Sequence, residues 1–210
     1  MSVKPKNAEQ PTIAFFDFDG TITDTDSFTA FMRYSAQPWR VVCFGPLLLP
    51  LYLGYKAGFV PASPLRRLVS LLALRGRHYR ELKHIGQQYA ARCLPKFIRP
   101  TMLAKLEWHL AQGHEVVVVS ASLDLYLQPW CQQHQLALLC SEVEQQQQRL
   151  TGSYVNGDCC AQRKVSRIQQ AYNLSHYQKI YAYGDTDEDL AMLGLADEAY
   201  LNNKLYQSKA

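Results

Sequence analysis

The sequence predicts a doubly wound, mainly parallel α/β fold with an inserted all-helical segment. Three observations carry this expectation. Short apolar runs at Thr12–Phe16, Glu115–Val119 and Lys179–Tyr183 each end in small or acidic residues, as buried strands do. Helix-length segments alternate with them, the pattern of a parallel sheet. Between the first and second runs, residues 24 to about 100 hold only helical patterns. With 210 residues, 48% hydrophobic and 19% charged, the chain can build one core and an inserted subdomain.

The polar stretch 1–11 reads as a solvated tail without an apolar signal segment. Thr12–Phe16 is the first strand. If it continues through Asp17, the carboxylates of Asp17 and Asp19 share a face, and Gly20 lets the chain turn. Asp26 or Ser27 caps a helix through Phe28, Phe31, Met32 and Tyr34, which Pro38 ends. Val41–Tyr55 follows, fifteen residues without a charge, interrupted by Pro46 and Pro50. It is shorter than the roughly 20 residues a spanning helix needs. It is read as a buried helical hairpin; the second reading is an apolar face that touches a membrane or an apolar substrate.

Pro64–Arg75 and Tyr79–Leu94 are amphipathic, and Pro95 and Pro100 close the helical block. Thr101–Gln112 is a helix stopped at Gly113. The second strand stops at Ser120-Ala121-Ser122, and a helix follows through Gln133. Segments on either side of Gln145–Gln148 suit a hairpin, with the glutamines in its turn. Gln162–Tyr172 is a helix carrying Lys164. The third strand closes at Gly184-Asp185, and Asp187, Glu188 and Asp189 open another helix, with Asp187 as its cap. Ala199–Leu201 is the last strand. The expected division is a tail at 1–11, a core at 12–23 and 101–210, and a cap at 24–100.

The net charge of +4, with no basic stripe interleaved with aromatics, does not suit nucleic acid. Six cysteines without a framework point to reduced thiols and a cytoplasmic protein.

Asp17 and Asp19 after strand one, Ser120 after strand two, Lys164, and Asp185 with Asp189 after strand three would converge on one sheet edge. Carboxylates gathered there need a hard cation, and oxygen ligands select Mg²⁺. A lysine and a hydroxyl beside it suit a phosphate group. In order, D-F-D-G-T-I-T, V-V-V-V-S-A-S, a lysine and G-D-T-D-E-D-L-A-M-L resemble the four motifs of the haloacid dehalogenase-like (HAD) phosphohydrolases, over residues 12 to 203. The helical insertion after the first motif resembles the C1-type cap of phosphoserine phosphatase-like members (subclass IB).

That resemblance implies a Rossmann-like core and a Mg²⁺-dependent phosphatase. Asp17 would be the nucleophile that forms an aspartyl-phosphate, and Asp19 the acid and base. The side chains of Asp17 and Asp185, with the main-chain carbonyl of Asp19, would hold Mg²⁺, supported from outside by Asp189. Ser120 and Lys164 would bind the phosphoryl oxygens; Lys164 is preferred over Arg163 because the family uses lysine there. Phosphoserine phosphatases usually carry serine where Gly20 stands and glutamate where Asp26 stands, so Asp26 half fits a substrate role. Arg66 or Arg67 would meet a second substrate charge, or else form a solvated helix face. Gly20, S-A-S and the cap segment with Phe31, Arg33 and Tyr34 look closer to a bacterial branch that includes phosphatidylglycerophosphatase C. The implied substrate is then a lipid phosphate. The alternatives are phosphoserine or another small metabolite, phosphoryl transfer to an alcohol, or a non-catalytic membrane-associated binding protein.

Overall fold

The computed structural model describes residues 11–207, so the expected tail lies, but for Pro11, outside the described residues. In chain order the strands are β1 (Thr12–Phe16), β2 (Glu115–Leu123), β3 (Ala137–Ser141), β4 (Val143–Gln146), β5 (Arg149–Tyr154), β6 (Lys179–Gly184), β7 (Glu198–Leu201) and β8 (Lys204–Tyr206). The main sheet runs β3-β2-β1-β6-β7-β8, parallel throughout except for the antiparallel β7–β8 pair. Strands β4 and β5 form a separate antiparallel hairpin.

A strand covered on both faces must be apolar at every position. In β1, Ile13 and Phe15 enter one core cluster while Ala14 and Phe16 enter the other, and all four are fully buried. Helices α1 (Ser27–Tyr34), α2 (Pro38–Lys56), α3 (Ala62–Leu74) and α4 (Tyr79–Arg92) lie in the chain between β1 and β2. Helices α5 (Pro100–Ala111) and α6 (Asp124–Gln133) bring Leu106, Tyr126 and Trp130 to the Phe16 face. Helices α7 (Gln162–Ala171) and α8 (Leu190–Leu193) bring Ile168, Met192 and Leu193 to the Phe15 face. Where α4 crosses α6, a Cβ at Gly86 would sit 2.1 Å from the carbonyl oxygen of Leu125, so the two helices meet backbone to backbone.

The register decides where the chemistry lies. Phe16 is level with Val118 of β2 and with Tyr183 of β6. The residues just beyond these three positions therefore emerge together, at the carboxyl edge of the sheet. The chain leaves β1 toward β2 on one side and leaves β6 toward β7 on the other, which opens a crevice between β1 and β6.

Several local expectations are corrected. Val41–Tyr55 is not a buried hairpin: it belongs to one continuous helix, α2, which contains Pro46 and Pro50 and has no buried residue. Pro38 starts that helix instead of ending the previous one, because a first-turn residue needs no amide hydrogen. Strand β2 runs on through Ser120-Ala121-Ser122 to Leu123, with an irregular register after Ser120. Gln145 and Gln146 are in β4, and only Gln147 and Gln148 turn, with φ of 48° and 64°. Thr186, not Asp187, caps the turn that precedes α8, through a reciprocal bond with Asp189. The antiparallel β8 adds an edge strand after β7 that the sequence reading did not anticipate.

Beneath the sheet edge, the fully buried ring of His109 on α5 bonds Tyr183 Oη at 2.9 Å and His114 Nδ1 at 2.8 Å. Burial, then the neighbouring His114, lowers its pKa from the ordinary 6.5 to about 4. The unfolded chain therefore binds the extra proton first. Stability from this ring is fully present above about 6.5 and is lost as pH falls toward about 4. Chemical denaturation across this window should show His109→Gln losing less stability on acidification than the wild type.

Candidate active site

The site begins one residue past β1. The Asp17 amide donates to Tyr183 O at 2.9 Å, so the ladder extends by one residue and holds the Asp17 backbone against β6. The chain then winds through a tight turn at Phe18–Ile22, in which Gly20 has φ of +80°. Asp17 and Asp19 thus do not share the face of one strand; the turn separates them and gives each its own partners.

Gly20 is required for a second reason: a Cβ there would fall 2.0 Å from Asp185 Oδ2. Its bare backbone is what lets the Asp185 carboxylate lie against this turn.

Asp17 is buried and receives a hydrogen bond from Lys164 Nζ. The same ammonium bonds Asp189 Oδ1 at 2.6 Å. Lys164 is 2% exposed, so its charge is balanced by these two carboxylates and not by solvent. Burial alone would lower its pKa, but Asp17 and then Asp189 raise it, and the ammonium stays protonated. Burial drives the Asp17 carboxyl well upward, against the pull of Lys164 and with the push of Asp189. Asp185 is raised to about 6 by burial and by Asp189. The second oxygen of Asp189 accepts from the Asp185 amide at 3.1 Å, the Thr186 amide at 3.2 Å and the Thr186 hydroxyl at 3.3 Å.

Asp19 faces the other way. Its Oδ1 accepts from the Ser27 amide at 2.6 Å, and its Oδ2 accepts from the Ser122 hydroxyl. Burial and the nearby Asp26 raise its pKa.

One carboxylate oxygen each from Asp17, Asp185 and Asp189 can be chosen so that all three lie within 4.8 Å of one another. One lysine among Asp17, Asp19, Asp185 and Asp189 leaves an excess of negative charge. Carboxylate oxygens in that number suit a hard divalent cation. Both oxygens of Asp189 are already engaged by Lys164 and by the 185–186 backbone, so Asp189 fits an outer, orienting place.

The buried Ser120 lines the same cavity, and its oxygen accepts from the Ser122 amide at 3.0 Å. Asp26 lines the cavity too, but both its oxygens are taken by Thr29, from the amide at 3.0 Å and from the hydroxyl at 2.6 Å. It caps α1. Arg66 reaches the cavity from α3 and pairs with Glu188 at 3.0 Å and with Asp158 at 3.8 Å. It is therefore no free solvated cation. Arg67 does not line this cavity.

The structure thus brings Asp17, Asp19, Ser120, Lys164, Asp185 and Asp189 around one cavity. Ser122 and the Arg66 partners were not anticipated. Ser122 was findable, since it stands two residues from Ser120 on a strand and would share its face. The Arg66 pairs join positions 92 and 122 apart in sequence and leave no local pattern.

Removing the lysine charge would leave Asp17 and Asp189 buried beside each other. Breaking one side of a buried ion pair costs about 3–5 kcal/mol. Lys164→Met should therefore lower the thermal midpoint in a chelator-containing buffer, and added Mg²⁺ should recover part of the loss, as read by calorimetry.

The family model for haloacid dehalogenase-like hydrolases matches residues 14–194. Protein CicA of Caulobacter vibrioides is 30% identical over 198 residues, covering 90% of this chain and 85% of the relative. A histidinol-phosphatase of Neisseria meningitidis serogroup C is 24% identical over 195 residues, covering 89% and 87%. A solved phosphoserine phosphatase with a phospho-aspartyl intermediate analogue superposes with a TM-score of 0.64 at 15% identity, covering 92% of this chain and 87% of that one. That likeness concerns the fold, and the sheet and helices agree with it. The chain belongs to the haloacid dehalogenase-like hydrolases and is an enzyme of that family.

Proposed function

We propose that the protein is a Mg²⁺-dependent phosphatase that works through an aspartyl-phosphate, and that its substrate is a lipid phosphate monoester. The observation that carries the first part is the pairing of a buried carboxylate, Asp17, with a buried lysine, both lining one cavity. Asp17 would attack phosphorus while Asp19 hands a proton to the leaving oxygen. In the second half-reaction Asp19 takes a proton from water as its oxygen attacks phosphorus, and the Asp17 carboxylate is released. Lys164 and Ser120 would hold the transferring oxygens, and Asp17, Asp185 and the Asp19 carbonyl would hold the metal. Bound there, the cation would offset phosphoryl charge. In this reading residues 24–100 are a cap over a core made of 12–23 and 101–210.

The lipid part rests on the rest of the cavity. It measures about 810 Å³, and helices α1, α2 and α3 give it a mostly apolar wall, with Met32, Phe44, Leu48, Tyr52 and Val69 beside Arg33, Arg40 and Arg66. The other side of α2 is also apolar yet open to solvent, with Val42 75% exposed and, just past the helix, Phe59 86% exposed. A helix apolar all round is normally buried, and α2 is not. No helix among the described residues is long and apolar enough to cross a membrane. From Ser27 to Arg80 the chain has eight lysines and arginines and no aspartate or glutamate, a charge that suits an anionic bilayer. We read α2 as lying in such a surface, on the cytoplasmic side, with acyl chains running from it into the cavity.

The purified protein should hydrolyse an aryl phosphate with Mg²⁺, and Asp17→Asn should abolish this; surviving turnover would overturn the mechanism. A lipid phosphate presented in anionic vesicles should be preferred over O-phosphoserine and histidinol phosphate. The reverse preference would make this a small-metabolite phosphatase, as the names histidinol-phosphatase and phosphoserine phosphatase among the similar proteins would suggest.

The double change Val42→Glu with Leu53→Glu faces outward from the cavity. It should reduce vesicle co-sedimentation and lipid hydrolysis about tenfold, while aryl phosphate turnover stays within about twofold.

A further inference from the structure

The oxygens of Asp19 are held by two different parts of the molecule, and the phosphatase reading by itself does not require this. Oδ1 is bound by the amide of Ser27, the first residue of α1. Oδ2 is bound by the hydroxyl of Ser122, inside β2. Both serines are buried, at 0% and 1% exposure. Ser27 is itself pinned: its hydroxyl pairs with Tyr126 Oη of α6 at 3.1 Å, and its carbonyl accepts from Tyr89 Oη of α4 at 3.1 Å. Tyr89 and Tyr126 are also packed edge to face, with ring centroids 5.3 Å apart.

The two donors differ in kind. A backbone amide can only donate, so Oδ1 is held as an acceptor whether or not Asp19 is protonated. The Ser122 hydroxyl donates to one lone pair of Oδ2 and leaves that oxygen's other position for the proton that goes to the leaving group. We infer that Ser122 is a positioning residue for acid–base catalysis: by donating to Oδ2 it aims that oxygen, and the proton it delivers, at the leaving group, while the Ser27 amide fixes the other oxygen. The inference rests on the phosphatase reading. In the step concerned, a bond forms from an Asp17 oxygen to phosphorus, the phosphorus–oxygen bond to the leaving group breaks, and the proton on Asp19 Oδ2 moves to the leaving oxygen.

The test compares kcat/KM, which reports events up to the aspartyl-phosphate, for an aryl and an alkyl phosphate. A phenolate leaves without a proton; an alkoxide does not, and general acid help is worth roughly 10²–10⁴-fold. Ser122→Ala should lower kcat/KM for the alkyl phosphate about tenfold more than for the aryl phosphate. The ratio of the two substrates, taken on one preparation, does not depend on how much of the variant is folded. Ser122→Thr, which keeps the hydroxyl, should restore the wild-type ratio. Ser27→Ala, which keeps the amide donor, should shift it by less than Ser122→Ala does. Equal losses on both substrates in Ser122→Ala, or a Ser122→Thr ratio no better than that of Ser122→Ala, would overturn the inference while leaving the phosphatase reading intact. Absence of phosphatase turnover in the wild type, or turnover that survives Asp17→Asn, would instead remove the reading on which the inference depends.

Discussion

Lys164 sits almost without solvent between Asp17 and Asp189, and this arrangement constrains much of what surrounds it. A buried ammonium is tolerable only when it is paired, and the same holds for the carboxylates. The pairing draws together the end of β1, the start of α7 and the turn before α8, which are remote in sequence. Asp189 can take part only because its other oxygen is already satisfied by the amides of Asp185 and Thr186. The turn that carries Asp189 is therefore folded around the same charge.

A second constraint follows from the surplus of negative charge. One lysine cannot balance four carboxylates, and burial pushes Asp17, Asp19 and Asp185 upward. The site lies at the carboxyl edge of a parallel sheet, where the crevice beside β1 leaves room for a cation and a phosphate. Beyond these carboxylates the cavity wall is mostly apolar, although Arg33, Arg40 and Arg66 also line it. In the proposed reading the two linings take different parts of the ligand: a charged head against Asp17 and Lys164, and an apolar body against α1, α2 and α3.

Much of this was legible in the sequence because the determinants are local. β1 is apolar at consecutive positions, so a strand buried on both faces could be read directly, and so could the carboxylates that follow it. The G-D-x-x-x-D spacing singled out Asp185 and Asp189 for the same reason. Helix α2 was misread because its composition reports only that it is apolar. Whether such a segment is covered depends on what other helices reach it, and here they cover one side only. Pro46 and Pro50 suggested a break, yet the helix continues through both. Asp26 was read both as a helix cap, which it is, and as half fitting a substrate role, and Arg66 as meeting a substrate charge or solvent. Thr29 is only three residues from Asp26, but Glu188 and Asp158 reach Arg66 from distant parts of the chain.

The amino-acid sequence alone determined the class of fold, most of its strands and the residue types at their ends, because periodicity and turn chemistry act over a few residues. Tertiary structure decided how those residues divide the work. It placed Asp17 against Lys164 and turned Asp19 toward Ser27 and Ser122, although the two aspartates are two positions apart. The physical reason is the tight turn at Gly20: it sends neighbouring carboxylates to different partners, and those partners come from strands and helices that meet only in the folded chain.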